Sequence, residues 1–208
     1  MLADTPELSI VVPVFNEEGN VLPLLDEIEA ALKDVVRYEI VFVDDGSTDD
    51  SPAELEAAAG KSDMVRVLRH DRRAGKSAAL VTGFEAARAA WVQTLDGDRQ
   101  NDPRDVARIW AAIQPIPETL GLVAGQRRRR NDGAVKWLSS RTANLIRRSM
   151  LNDATADSGC GFKLIRREAA LRMPYFDGMH RSIPALVRRS GFEIRQEAID
   201  DRPRMAGV

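Results

Sequence analysis

Five apolar, β-branched runs alternate with segments of helical periodicity, and this alternation limits the possible folds more than any other feature of the chain. Residues 8–14 form a continuous apolar run, the pattern of a strand buried on both faces. Val21, Leu24, Leu25, Ile28 and Leu32 then recur at helical spacing. Residues 38–43 read as a second strand, 51–59 as a short helix and 64–68 as a third strand. An alanine-rich helix over 77–90 leads to a strand over 91–95. A helix from Pro103 to about Ile113 and a short strand over 120–125 complete the series. Strands alternating with helices predict an α/β fold: a Rossmann-like, doubly wound, mainly parallel sheet with helices on both faces. After Gly125 the pattern changes to a basic loop, a helix at about 135–151, a glycine-rich segment at 157–164 and a helix at about 182–189. No linker-like stretch divides the chain. It reads as one domain over 1–208, with residues from about 8 to 125 as a ligand-binding half and from about 126 to 208 as a half facing a second substrate.

In open α/β sheets, ligands bind outside the carboxyl ends of the strands. Acidic residues collect at those ends here: Asp44 and Asp45 close the second strand, Asp96 and Asp98 the fourth. Carboxylates two apart around Gly97 can turn toward one hard cation, with the glycine permitting the bend. Mg²⁺ or Mn²⁺ held there would bridge to diphosphate oxygens. The same triplet is also what a solvated turn requires. Likewise, the segment Asp44-Asp45-Gly46-Ser47-Thr48-Asp49 reads both as a ligand contact and as a turn in which Ser or Thr caps the next helix. Lys76, at a helix start, is placed to meet phosphate.

Other chemistries fit poorly. Gly75-Lys76-Ser77 lacks the earlier glycine of a Walker loop, since position 70 is His70. In Gly159-Cys160-Gly161, the third glycine of a dinucleotide fingerprint is replaced by Leu164. His70 and His180 are the only histidines and Cys160 is the only cysteine, which excludes an internal disulfide and leaves no zinc spacing. Nothing in the sequence brings Cys160 and His180 together as a nucleophile pair. Trp91, Trp110 and Trp137 read as core or interface. No apolar run is long enough to span a bilayer, and the first residues lack the pattern of a secretory signal. A net charge of −2 argues against a nucleic-acid partner. Residues 126–148 nevertheless carry eight basic side chains against one acidic. That excess suits either a solvated helix face or a phosphate-rich, anionic membrane surface.

Six motifs in order resemble family 2 glycosyltransferases of the GT-A fold, especially the branch of dolichol- and polyprenyl-phosphate sugar transferases. They are Val11-Val12-Pro13-Val14-Phe15-Asn16-Glu17-Glu18, Val43-Asp44-Asp45-Gly46-Ser47-Thr48-Asp49, Gly75-Lys76-Ser77-Ala78-Ala79-Leu80, Leu95-Asp96-Gly97-Asp98-Arg99-Gln100-Asn101-Asp102-Pro103, Asp157-Ser158-Gly159-Cys160-Gly161-Phe162-Lys163 and Arg202-Pro203-Arg204. The resemblance implies a metal-dependent, inverting hexosyltransferase that takes a sugar from a GDP- or UDP-sugar to a polyprenyl or dolichyl phosphate. It assigns Pro13, Phe15, Glu17 and Asp44 to the base and ribose, with Asp45 and Gly97 joining the nucleotide-sugar set. Asp96 and Asp98 become the metal–diphosphate motif, with Gln100 a further metal or phosphate contact. Lys76 and Arg127 face the diphosphate. Arg127, Arg141, Arg202 and Arg204 face the acceptor phosphate, and Asp157 is the catalytic acidic group. The lone cysteine fits a reducing compartment and the basic run an anionic leaflet, so the chain is expected on the cytoplasmic side, peripheral to a membrane.

The chain departs from this pattern in three places. Glycine stands in the middle of the Asp-x-Asp triplet where alanine is frequent, and Arg99 replaces a usual apolar residue. The sequence ends at Val208, where relatives commonly continue toward membrane-associating helices. Two other functions use the same donor site: transfer to a soluble glycan or protein, and nucleotide-sugar binding without turnover.

Overall fold

The computed structural model describes residues 5–127 and 159–203. Seven strands form one sheet: β1 (Leu8–Val14), β2 (Tyr38–Asp44), β3 (Val65–Arg69), β4 (Trp91–Thr94), β5 (Leu120–Arg127), β6 (Lys163–Arg166) and β7 (Glu193–Ile199). Their order is β3-β2-β1-β4-β6-β5-β7. All neighbours pair in parallel except β6, which lies antiparallel between β4 and β5. The order reverses between β1 and β4, so the ligand crevice of this fold lies above the carboxyl ends of those two strands.

Alternation along β1 sends Leu8, Ile10, Val12 and Val14 to one face and Val11 to the other. The first face is covered by α1 (Val21–Leu32), α2 (Ser51–Lys61) and α4 (Pro103–Ala112), through Leu24, Ile28, Leu55, Ile109 and Trp110. The second is covered by α3 (Lys76–Ala86), α5 (Arg167–Leu171) and α6 (Ile183–Arg189), through Leu80, Phe84, Ala169 and Val187. A β-carbon at Gly83 would fall 2.3 Å from Val11 Cγ1, so α3 lies against β1 with no room for a larger residue.

Three features differ from the sequence expectation. Helix α3 stops at Ala86 instead of residue 90, because the chain turns extended at Ala87 to enter β4. Strands β6 and β7 add to the sheet. Ser47 and Thr48 do not cap α2, whose N-cap is Asp50. They bind the loop after β1 instead: Ser47 Oγ accepts from the Asn16 amide at 3.0 Å, and the Thr48 amide donates to Asn16 Oδ1 at 2.9 Å. The helix expected at 135–151 and most of the basic run lie outside the described residues. Among the described residues, no helix is long and apolar enough to cross a membrane.

Candidate active site

A cleft of about 300 Å³ opens at the β1/β4 switch, lined by Pro13, Val14, Phe15, Glu17, Asp45, Arg73, Lys76, Asp96, Gly97 and Asp98. Each wall follows from local chemistry. Asn16 adopts a left-handed φ of 54°, which turns the chain sharply after Phe15. The turn is pinned from below, where Ser51 Oγ accepts from the Glu17 amide at 2.8 Å and Asp49 accepts from Glu18 at 3.1 Å. Glu54 of α2 accepts from the Gly19 and Val21 amides, supplying partners to the start of α1. Opposite, the Asp45 carboxylate accepts from the amides of Ala74 and Gly75 and from His70 Nδ1, each at 2.8 Å. Asp45 therefore holds the loop that carries Arg73 and Lys76. The Arg73 guanidinium lies 4.1 Å from the Phe15 ring centroid, a cation–π contact across the cleft wall.

Asp96 forms the floor. A β-carbon at Gly161 would lie 2.3 Å from both of its carboxylate oxygens, so only glycine admits this approach. Lys76 Nζ donates to Asp96 Oδ1 at 2.5 Å. Burial pushes the Asp96 carboxyl up, but the charge and hydrogen bond of Lys76, with Lys163 and His180 behind, outweigh it and hold the pKa below the ordinary carboxylate value. His180 contacts Ser77 Oγ through Nδ1 at 2.9 Å. Burial, followed by the charges of Lys76, Arg181 and Lys163, brings its pKa down to about 4, so it is neutral at pH 7. Lys163 is buried and donates to the Cys160 carbonyl.

Of the expected site residues, the structure gathers Pro13, Phe15, Glu17, Asp45, Lys76, Asp96, Gly97 and Asp98 around this cleft. Asp44 lies beneath it, fully buried. Its Oδ1 accepts from the Ser47 amide at 2.8 Å, and its Oδ2 stands 3.2 Å from Arg69 Nε. Gln100 donates through Nε2 to the Arg202 carbonyl at 3.3 Å. Arg202 itself bridges Glu27 (2.8 Å) and Asp102 (2.5 Å). Arg127, at the end of β5, stands 3.7 Å from Asp201. Arg99, at φ 61°, reaches Glu27 at 2.5 Å. Asp157, Arg141 and Arg204 lie outside the described residues. Sequence reasoning missed Arg73 and Gly161. Arg73 follows the carboxyl end of β3 and could have been found by the same rule that singled out Asp44. Gly161 stands within the glycine-rich motif, but its role shows only once Asp96 is placed against it.

Asp96 and Asp98 offer hard oxygen donors, and among the described residues no group of three or more His, Cys, Asp or Glu side chains could hold a metal ion. That donor set fits Mg²⁺ or Mn²⁺ bound by one or two carboxylates and completed by phosphate oxygens and water.

The sequence profile of Glycosyl transferase family 2 matches residues 9–172. The chain belongs to this family. Its α/β sheet is the GT-A fold. It is 35% identical over 184 residues to the dodecaprenyl-phosphate galacturonate synthase of Rhizobium johnstonii, an alignment covering 87% of this chain and 54% of that protein. It is 39% identical over 163 residues to the undecaprenyl-phosphate 4-deoxy-4-formamido-L-arabinose transferase of Pseudomonas fluorescens, covering 77% and 47% respectively. The chain thus spans about half the length of these curated relatives. Among solved structures, glucosyl-3-phosphoglycerate synthase from Mycobacterium tuberculosis in complex with Mg²⁺ and uridine diphosphate superposes with a TM-score of 0.75 at 24% identity, over 98% of this chain and 73% of that one. The same enzyme with Mn²⁺, uridine diphosphate and phosphoglyceric acid gives 0.75 at 23%.

Proposed function

We propose that this family 2 member is an inverting hexosyltransferase acting from a GDP- or UDP-sugar onto a polyprenyl phosphate. The lining of the cleft carries this reading: carboxylates from β2 and β4, Lys76 from α3 and the apolar Pro13–Phe15 wall meet at one strand switch. The curated relatives, named for transfer to dodecaprenyl and undecaprenyl phosphate, support the acceptor class. Pro13, Phe15 and Glu17 take the base and ribose. Asp96 and Asp98 would hold Mg²⁺ or Mn²⁺, which offsets charge on the leaving diphosphate when bound. Lys76 adds a cation beside it. Asp45 contributes by fixing the Lys76 loop. Residues 8–125 form the donor half and 126–208 the acceptor half of one domain, with Arg127, Arg141 and Arg204 for the acceptor phosphate.

A phosphate monoester, with a second pKa of about 6, is already mostly dianionic at neutral pH. The acceptor oxygen therefore attacks the anomeric carbon without a general base, and Asp157 orients it. Asp157→Asn should lower turnover with little effect on nucleotide affinity, and full turnover at saturating substrates would remove Asp157 from the site. The function itself is tested by incubating the chain with radiolabelled UDP- and GDP-hexoses, Mn²⁺ and detergent-dispersed polyprenyl phosphate. An organic-extractable labelled lipid is expected. Label appearing only on soluble sugars would establish the other acceptor class, and tight nucleotide binding with no transfer to any acceptor would establish a binding module.

A further inference from the structure

The segment from β3 to the start of α3 brings two cations to the cleft, Arg73 and Lys76. Residues 70–75 have no regular structure, and residues 71–74 are exposed, so little packing holds them in place. His70, the first residue after β3, is tied to β2 by its amide, which donates to the Asp44 carbonyl at 2.9 Å. Its partly buried imidazole stands between two partners. Nδ1 lies 2.8 Å from Asp45 Oδ1, and Nε2 lies 3.0 Å from Thr82 Oγ1 on α3. The same Asp45 carboxylate accepts from the Ala74 amide through Oδ1 and from the Gly75 amide through Oδ2. One side chain, absent from the cleft lining, thus joins the end of β2, the loop and the body of α3.

An ionised carboxylate only accepts hydrogen bonds, so the proton between His70 and Asp45 belongs to Nδ1. Nε2 of the neutral ring then accepts from the Thr82 hydroxyl, and a protonated ring would donate to it. The bond to Asp45 is the same in both cases. It fixes the carboxylate plane, so that both oxygens meet the loop amides. Without it the carboxylate is free to turn, and the exposed side of the loop offers nothing to keep Arg73 over the Phe15 ring or Lys76 on Asp96. We infer that His70 is a positioning residue of the donor site: through Asp45 it sets the loop that presents Arg73 and Lys76. The inference rests on the reading of this cleft as a nucleotide-sugar site and adds to it a residue that touches no substrate.

Asparagine overlays its amide nitrogen on Nδ1 of histidine and glutamine on Nε2, so two variants of the whole chain separate the two bonds. Each is titrated with UDP and GDP in Mn²⁺ well below its Tm. His70→Asn should bind nucleotide within about twofold of wild type, and His70→Gln about tenfold more weakly. In hydrogen–deuterium exchange without nucleotide, segment 71–76 should exchange as in wild type in His70→Asn and faster in His70→Gln, with β1 and β4 unchanged in both. Equal affinity and equal loop exchange in the two variants would overturn the inference. So would faster exchange spread over the whole sheet, the mark of a purely structural residue. Should neither variant fold, ¹⁵N-histidine spectra of the wild type decide: a proton on Nδ1 of His70 is expected, and one on Nε2 alone would overturn it. A wild type that binds neither nucleotide, with loop exchange still following the asparagine–glutamine pattern, would end the donor-site reading and leave the anchoring of the loop by His70 standing.

Discussion

Asp96 lies so close to the Gly161 peptide that a single methyl group there must displace it. Gly161→Ala is therefore expected to cost nucleotide affinity through Asp96 rather than through the fold's core, with a loss of about tenfold, or 1.4 kcal/mol, by titration calorimetry in Mn²⁺. Unchanged affinity would show that the Asp96 carboxylate position is unimportant. Asp102 offers a second test. Burial pushes its carboxyl up, but hydrogen bonds from the Arg104 side chain and amide and from Arg202 bring it down to about 2. A folded pKa below the unfolded one contributes stability that is complete above the unfolded value and lost as pH falls through the folded one. Wild type should therefore lose this contribution between about pH 4 and pH 2, and Asp102→Asn should lack that part of the slope. Asp102 also caps α4 by accepting from the Arg104 amide at 2.9 Å, so Asp102→Ala should cost about 1 kcal/mol at pH 7 in urea unfolding.

At the scale of elements, the start of α1 depends on a neighbour. Asn20 makes no side-chain cap, and Glu54 of α2 supplies the missing acceptor to Gly19 and Val21. Glu54→Ala should lower Tm by about 2–4 °C, the shift for about 1 kcal/mol in a domain of this size, and loosen the turn that presents Glu17. An unchanged Tm would mean that water replaces the carboxylate. Strands β1 and β2 were legible because buried parallel strands are continuous apolar runs; the edge strand β3, with only Val65 buried, was legible from its β-branched residues between two helical segments. Strand β7 was not: in Glu193–Ile199 only Ile199 is buried, and its pairing with β5 comes from backbone register. Strand β6, Lys163–Arg166, begins and ends on a basic residue, so neither an apolar run nor an acidic stop marked it. The acidic ends of β2 and β4 were legible as a site for the same positional reason, but which of Asp44 and Asp45 faces the cleft depends on the turn at Gly46. That turn packs so tightly against Arg72 and Arg73 that a β-carbon would fall 2.7 Å from the Arg73 amide.

For the whole molecule, one sheet brings together groups far apart in sequence, and its reversal between β1 and β4 puts Glu17, Lys76, Asp96 and Asp98 around one opening. The chain spans about half of its curated relatives, so donor binding is the property most directly tied to these residues. Calorimetric titration of UDP and GDP into the wild-type chain and Asp98→Asn, with Mn²⁺ and with chelator, measures it. At least one nucleotide should bind wild type about tenfold or more tightly in Mn²⁺ than in chelator, with that metal dependence gone in Asp98→Asn. Equal affinity under all four conditions, or binding of neither nucleotide, would contradict a metal-assisted nucleotide-sugar site in this cleft.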